Sequence, residues 1–350
     1  AADVLRPHGL EPEVDRFFDE HGCDTPNFEK HLRLVEDAHV RRKAWEKTQD
    51  LRQSLVEGNG WPGFVRELTA IAVSHDCAAP APIGIVQALA DPALLHPLLR
   101  LTSGFHNLDE ALYGGLMPGG LYVLAGSTSK GKSLLGVNLA RRMAEAGVPT
   151  LLITLEDPPL QALRKMLAAA AQIPLWAIQS LALTAEQSAA VKMAGASLAS
   201  LPLALADMAG LEEIEALVEA SARRGTRAVI LDQMSWIAAP GRDSFERAAL
   251  LSRRMKELAK RSGAVLVLLC QVNRAGCQRE DGPELFDLRD SGTLEQDADG
   301  VLLIKSLVDG WPGVLTIDVA KHRHSPSSKI VRFFSWPSQA RLAPESAMEP

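Results

Sequence analysis

What this sequence lacks narrows it before any motif is considered. It has no apolar run approaching the length that crosses a bilayer, and its acidic start is unlike a signal peptide, so no membrane partner is expected. Cysteine is scarce: Cys23, Cys77, Cys270 and Cys277 are the only four, and no two form a C-x-x-C pair. With Cys270 set inside an apolar strand-like run, this usage fits reduced, structural thiols in a cytoplasmic protein. His21, Cys23 and His31 match no zinc spacing and read as solvated loop residues. There is no excess of positive charge either. The 37 Lys and Arg against 43 Asp and Glu leave a formal net charge of −6, which excludes an all-over polycation. Any nucleic-acid contact must then come from a local surface or a channel. The 350 residues suit two domains, one of them able to bury a sizeable core. The chain opens on Ala1 rather than Met, as an excised fragment would.

What is present is organised around Gly126-Ser127-Thr128-Ser129-Lys130-Gly131-Lys132-Ser133. The apolar run Leu121 to Ala125 before it reads as a buried strand, and Leu134 to Glu145 after it as an amphipathic helix. Strand, loop and helix in that order are the context a phosphate-binding P-loop needs. Gly126 and Gly131 would let the backbone curl so that its amides face phosphate. Lys132 would reach the β and γ oxygens, and the Ser133 hydroxyl would ligate Mg²⁺. The bound anion would also lie at a helix N-terminus.

Residues 1–77 are charged and helix-like, with apolar residues at Phe28, Leu32, Val35, Trp45, Leu51 and Leu55. They predict a small N-terminal helical domain, either for self-association or a partner, or as an appendage on the core. Ala78-Ala79-Pro80-Ala81-Pro82 begins a linker and docking segment over 78–100 that carries many apolar residues. From Leu101 short strand-like runs alternate with helical ones through 101–350, the pattern of an α/β fold with a mostly parallel central sheet flanked by helices. Helices are expected over Leu160–Ala171, Ala185–Ala199, Leu211–Arg224 and Ser244–Ser262. Strands are expected over Thr150–Leu155, Leu203–Ala206, Ala228–Asp232, Ala264–Gln271, Gly300–Ser306, Val314–Ala320 and Ile330–Ser335. Asp157 is expected to cap a helix begun by Pro158, and Asp309 to Gly313 to form a turn.

Three strands end in polar residues that a P-loop site can use. Asp232 closes Ala228–Asp232 where such folds hold a partner of Mg²⁺, although a strand-end Asp also serves simply to cap a turn. Glu156 follows another strand and could orient and deprotonate an attacking water; its plainer role is a carboxylate in a helix's first turn. Gln271 ends a third, where an amide could sense the γ-phosphate.

Thr102 to Asp109 together with Gly114 to Gly119 resembles the entry into a RecA-like motor, a feature shared with circadian-clock ATPases and RadA-type recombination proteins. Gln271-Val272-Asn273-Arg274 followed by Asp287-Leu288-Arg289-Asp290-Ser291-Gly292-Thr293-Leu294-Glu295-Gln296-Asp297-Ala298-Asp299 is more specific. It is similar, almost residue for residue, to the DnaB-type hexameric replicative helicases, and the resemblance extends over residues 101–340. It implies a RecA-like P-loop ATPase core with Lys132 and Ser133 as the P-loop pair, Glu156 as catalytic carboxylate, Asp232 as second acidic motif and Gln271 as sensor. Arg289, Asp290 and Gly292 then match a channel loop that contacts the DNA backbone. Lys321 and Arg323 match a basic pair that reaches the neighbouring subunit's nucleotide; without the resemblance they would read as a solvated strand end. Ser325-Pro326 departs from the family's usual Gly-Pro, and residues 1–77 do not resemble its N-terminal collar.

The function implied is ATP- and Mg²⁺-dependent translocation on single-stranded DNA by a homo-oligomeric, hexameric ring, with a primase or a helicase loader as further partner. The rival is a RecA-like oligomeric ATPase that remodels partners without unwinding DNA. A P-loop that binds nucleotide only to stabilise a scaffold is a third possibility.

Overall fold

In the computed structural model the described residues are 99–323 and 329–345, the side chains of 274, 275 and 289–292 excepted. All belong to the second of the chain's two units, Pro97–Pro350. The helical domain expected over 1–77, most of the 78–100 segment, Cys23, Cys77, His21, His31 and Ser325-Pro326 lie outside the described residues.

In chain order the elements are α1 (His106–Ala111), β1 (Leu121–Gly126), α2 (Lys132–Glu145), β2 (Thr150–Thr154), α3 (Pro159–Ala171), α4 (Leu175–Gln179), α5 (Ala185–Ala199), β3 (Leu203–Ala206) and α6 (Leu211–Arg223). There follow β4 (Ala228–Asp232), α7 (Ser244–Ser262), β5 (Val265–Gln271), α8 (Arg274–Cys277), a 3₁₀ stretch over Leu285–Ser291 and α9 (Gly292–Asp297). The strands β6 (Gly300–Val308), β7 (Gly313–His322), β8 (Lys329–Trp336) and β9 (Arg341–Pro344) complete the unit.

The nine strands form one sheet in the order β3-β2-β4-β5-β1-β6-β7-β8-β9. From β3 to β6 every neighbouring pair is parallel, and from β6 to β9 every pair is antiparallel. Side-chain alternation splits the core into two layers. Leu121, Val123 and Ala125 pack with Ile214 and Val218 of α6 and Leu251, Met255 and Leu258 of α7. Tyr122 and Leu124 face the other side with Leu135, Leu139 and Met143 of α2. Because both faces are covered, the central strands are apolar throughout, and each fully buried Leu contributes about 1.5–3 kcal/mol.

The strands and long helices agree with their sequence-expected bounds to within two residues. Local chemistry explains where several begin. The Asp243 side chain accepts from the Glu246 amide at 2.8 Å to open α7. Thr184 and Gln187 form a reciprocal capping box at α5. Asp157 is the exception. It makes no cap; α3 starts at Pro159, and Asp157 instead pairs with Lys165 at 2.8 Å, a partner one and a half turns into that helix. The short elements α1, α4, α8, α9 and β9 had no periodicity long enough to announce them. Among the described residues no helix is long and apolar enough to cross a membrane.

Candidate functional site

Parallel pairing puts the carboxyl ends of β2, β4, β5 and β1 side by side, which is where open α/β sheets bind ligands. Register aligns them closely: Thr154 lies opposite Asp232, and Gly126 opposite Gln271. The loop leaving β1, Glu156 beyond β2, Asp232 and Gln271 therefore share one edge. A cleft of about 390 Å³ opens there, lined by Thr128, Ser129, Lys132, Ser133, Glu156, Gln233 and Gln271 among others.

The loop's two glycines act differently from the sequence expectation. Gly131 has φ +94° and turns the chain into α2, as expected. Gly126 does not curl; it is the last residue of β1, and it is small because a Cβ would come within 3.0 Å of the Ile304 Cβ. Lys132 is buried and donates to the Gly126 and Ser127 carbonyl oxygens at 3.1 and 2.9 Å. Burial lowers its ammonium from the usual lysine range, opposed chiefly by the nearby charge of Asp232.

Asp232 carries the cation question. Burial raises its carboxyl above the ordinary range, opposed by a hydrogen bond from the Ser133 side chain and by Lys165. Its Oδ1 is buried without a hydrogen-bond partner, an unusual and costly state for a carboxylate oxygen. A hydroxyl and one carboxylate are the donors Mg²⁺ takes from protein when phosphates and water supply the rest, so these residues fit that ion. Glu156 is exposed at the cleft mouth and accepts from Gln233 Nε2 at 3.3 Å. Cys270, beneath the edge, is buried, and burial pushes its thiol up to about 12.

Lys321 and Arg323 are not in this cleft. Lys321 lies opposite Val301 near the start of β6, and the Arg323 amide donates to the Asp299 carbonyl oxygen at 2.7 Å. They sit at the far ends of the same strands, about 17–20 Å from the loop along a strand of this length. There the Lys321 Nζ donates to the Glu295 and Gln296 carbonyl oxygens, and Arg323 Nη2 to that of Gln296 at 3.1 Å. Cations at the C-terminal carbonyls of a helix are favourably placed. The segment with Arg289, Asp290 and Gly292 is not a loop, as expected, but the end of the 3₁₀ stretch and the start of α9. Gln233, Lys165 and Asp299 were not marked in the sequence. Only contact with the expected residues singles them out, and that contact is made by folding.

A nine-stranded sheet with a P-loop at its carboxyl edge and acidic strand ends beside it defines a RecA-like P-loop domain. Residues 100–339 match the model of the DnaB-like helicase C-terminal domain, and the chain belongs to that family. It is 30% identical over 242 residues to the replicative DNA helicase DnaB of Leifsonia xyli subsp. xyli, covering 65% of this chain and 52% of that protein. It is 29% identical over 312 residues to DnaB of Haemophilus influenzae, covering 81% and 64%. The chain thus spans about half to two thirds of the length of these relatives. Among solved structures, an isolated ATPase domain superposes with a TM-score of 0.68 at 23% identity, over 75% of this chain and 98% of that one. A DnaB-like replicative helicase, described with its interactions with primase, superposes at 0.70 and 22%, over 92% and 80%.

Proposed function

We propose that this chain is the motor of an ATP-hydrolysing, ring-forming DNA helicase that moves on single-stranded DNA. The observation that carries the reading is the division of the expected residues between the two ends of one set of strands. The P-loop, Glu156, Asp232 and Gln271 meet at one end, and Lys321 and Arg323 at the other. A basic pair so far from its own cleft can serve only a neighbour's, and a head-to-tail array of copies brings the two together.

In that array Lys132 balances charge on the terminal phosphates, and the backbone amides of Gly126 to Ser133 cradle them. Asp232 and Ser133 would hold Mg²⁺, which supplies further neutralisation of phosphate charge when bound. Glu156 orients and deprotonates the attacking water, and Gln271 senses the γ-phosphate. Arg323 and Lys321 of the adjacent copy stabilise charge in the transition state. Arg289, Asp290 and Gly292 contact the DNA backbone, which a net-acidic chain can manage because few groups per subunit need face the channel. The domain order is an N-terminal helical domain over 1–77, a linker and docking segment over 78–100, and the motor over 101–350. A hexamer in the cytoplasm, working with a primase or a loader, completes the proposal; it is supported by family membership and by the structural neighbour described with primase.

The test is ATP turnover of the purified chain with and without single-stranded DNA, alongside electron microscopy with an ATP analogue. Stimulation by DNA and closed rings are expected. Turnover indifferent to DNA would favour the partner-remodelling alternative, and no turnover a scaffold.

A further inference from the structure

The surroundings of Arg323 hold more than a basic side chain awaiting a neighbour. Its two terminal nitrogens are both occupied within its own chain: Nη1 lies 3.3 Å from Asp299 Oδ1, and Nη2 donates to the Gln296 carbonyl oxygen at 3.1 Å. These are the atoms that clamp a phosphate in bidentate fashion. Holding Asp299 and holding a neighbour's phosphate are therefore alternatives.

We propose that Asp299 is a positioning residue that holds Arg323 in reserve, and that α9 releases it when DNA engages the segment from Arg289 to Gly292 that leads into that helix. The proposal rests on the function proposed above. Three features support it. Asp299 is itself fixed: its Oδ2 accepts from the Leu121 amide at 2.8 Å, and its own amide donates to the Leu121 carbonyl oxygen at 2.7 Å, tying it to the base of the P-loop strand. It is also neutralised twice. Lys256 pairs with Oδ2 while Arg323 pairs with Oδ1, so departure of Arg323 leaves no stranded buried charge. Arg323 is the mobile partner by exposure, its side chain 45% accessible against 13% for Lys256.

The third feature is α9. It begins at Gly292, a residue assigned to the DNA contact, and its last carbonyls hold Lys321 and Arg323. Six residues of helix span only about 9 Å and move as one piece. The Ser252 hydroxyl donates to Asp297 Oδ2 at 2.6 Å and pins the helix end to α7, which gives the piece a pivot. Tilting α9 about that point withdraws the Gln296 carbonyl from Arg323. DNA bound by one subunit would thereby arm the nucleotide site of the next.

The experiment uses the full chain with the charge-balanced double variant K256M/D299N, which removes the hold without leaving Lys256 unpaired, and K256M alone. In the double variant DNA-free ATP turnover should rise about fivefold, the low end of coupling between linked sites, and the ratio of DNA-stimulated to basal turnover should shrink by the same factor. KM for ATP should not change. Adding R323A should abolish the rise. K256M alone, which strengthens Asp299's claim on Arg323, should keep or enlarge the ratio. A merely structural Asp299 would lower basal and stimulated rates together. That outcome, or a wild-type ratio in K256M/D299N beside a defective R323A, overturns the proposal alone. A wild-type chain whose turnover ignores DNA, or an R323A variant as active as wild type, overturns the proposed function and this proposal with it.

Discussion

The ammonium of Lys132 lies 2.9 Å from the carbonyl oxygen of Ser127, bonded to the loop it is meant to serve. Phosphate oxygens would have to displace that carbonyl, and the exchange is favourable because a charged acceptor replaces a neutral one. K132A is therefore expected to weaken nucleotide binding and to lower hydrolysis by about 10² or more. E156Q, which leaves the phosphate cradle untouched, should retain ATP and stall. Nucleotide-binding titrations beside steady-state rates separate the two, and normal turnover in E156Q would remove Glu156 from the role of base.

The buried, unpartnered Oδ1 of Asp232 makes a prediction about stability. Its carboxyl is raised in the folded state, so its contribution is most favourable below the ordinary carboxylate range and becomes a cost as pH rises through the folded value. D232N should then raise the Tm of the nucleotide-free protein near neutral pH, by about 2–4 °C for each kcal/mol relieved, and lose that advantage in acid. The same variant should lose Mg²⁺-dependent hydrolysis. A Tm below wild type at pH 7 would mean that the carboxylate has a stabilising partner.

R289A should weaken single-stranded DNA binding and flatten its dependence on salt, by about one counterion's worth of slope, while basal ATP turnover stays largely intact. Titrations at several salt concentrations provide the measurement. An unchanged slope would take Arg289 out of the phosphate contacts.

Mixing K132A with R323A tests the shared site directly. Each variant alone should be nearly inactive, since an arginine finger contributes a factor of about 10³ to 10⁵ in P-loop enzymes. Mixed and re-assembled, roughly a quarter of head-to-tail contacts should join an intact P-loop to an intact Arg323, and turnover should recover. Mixtures with wild type report how tightly the sites are coupled. Independent sites there, with no recovery in the double mixture, would end the case for Arg323 acting across an interface.

How much of this was legible in the sequence depends on the range of the forces involved. The strand before Gly126 and the helix after it are written in local periodicity, and so are the polar residues that close β4 and β5. Their adjacency is not. That Gln271 stands opposite Gly126, and Asp232 opposite Thr154, follows from a strand order in which β1 and β2 are separated by β4 and β5. Family resemblance brought Lys321 and Arg323 into the site; periodicity alone would have left them at a solvated strand end. Asp157 misled because an Asp before Pro looks like a cap, while a lysine eight positions later, out of range of local rules, took the carboxylate. Gly126 misled because spacing cannot distinguish a glycine needed for its torsion from one needed for its size.

The outermost strands of the sheet, β3 and β9, are each four residues long. Pro202 precedes the first, and Pro344 ends the second. Short, proline-flanked borders are poor templates for backbone pairing with another molecule. Copies of this domain are thus discouraged from fusing into one continuous ribbon, an arrangement that would be hard to undo. Whatever association they make falls to side chains and loops, whose contacts can loosen and re-form on the timescale of a working cycle.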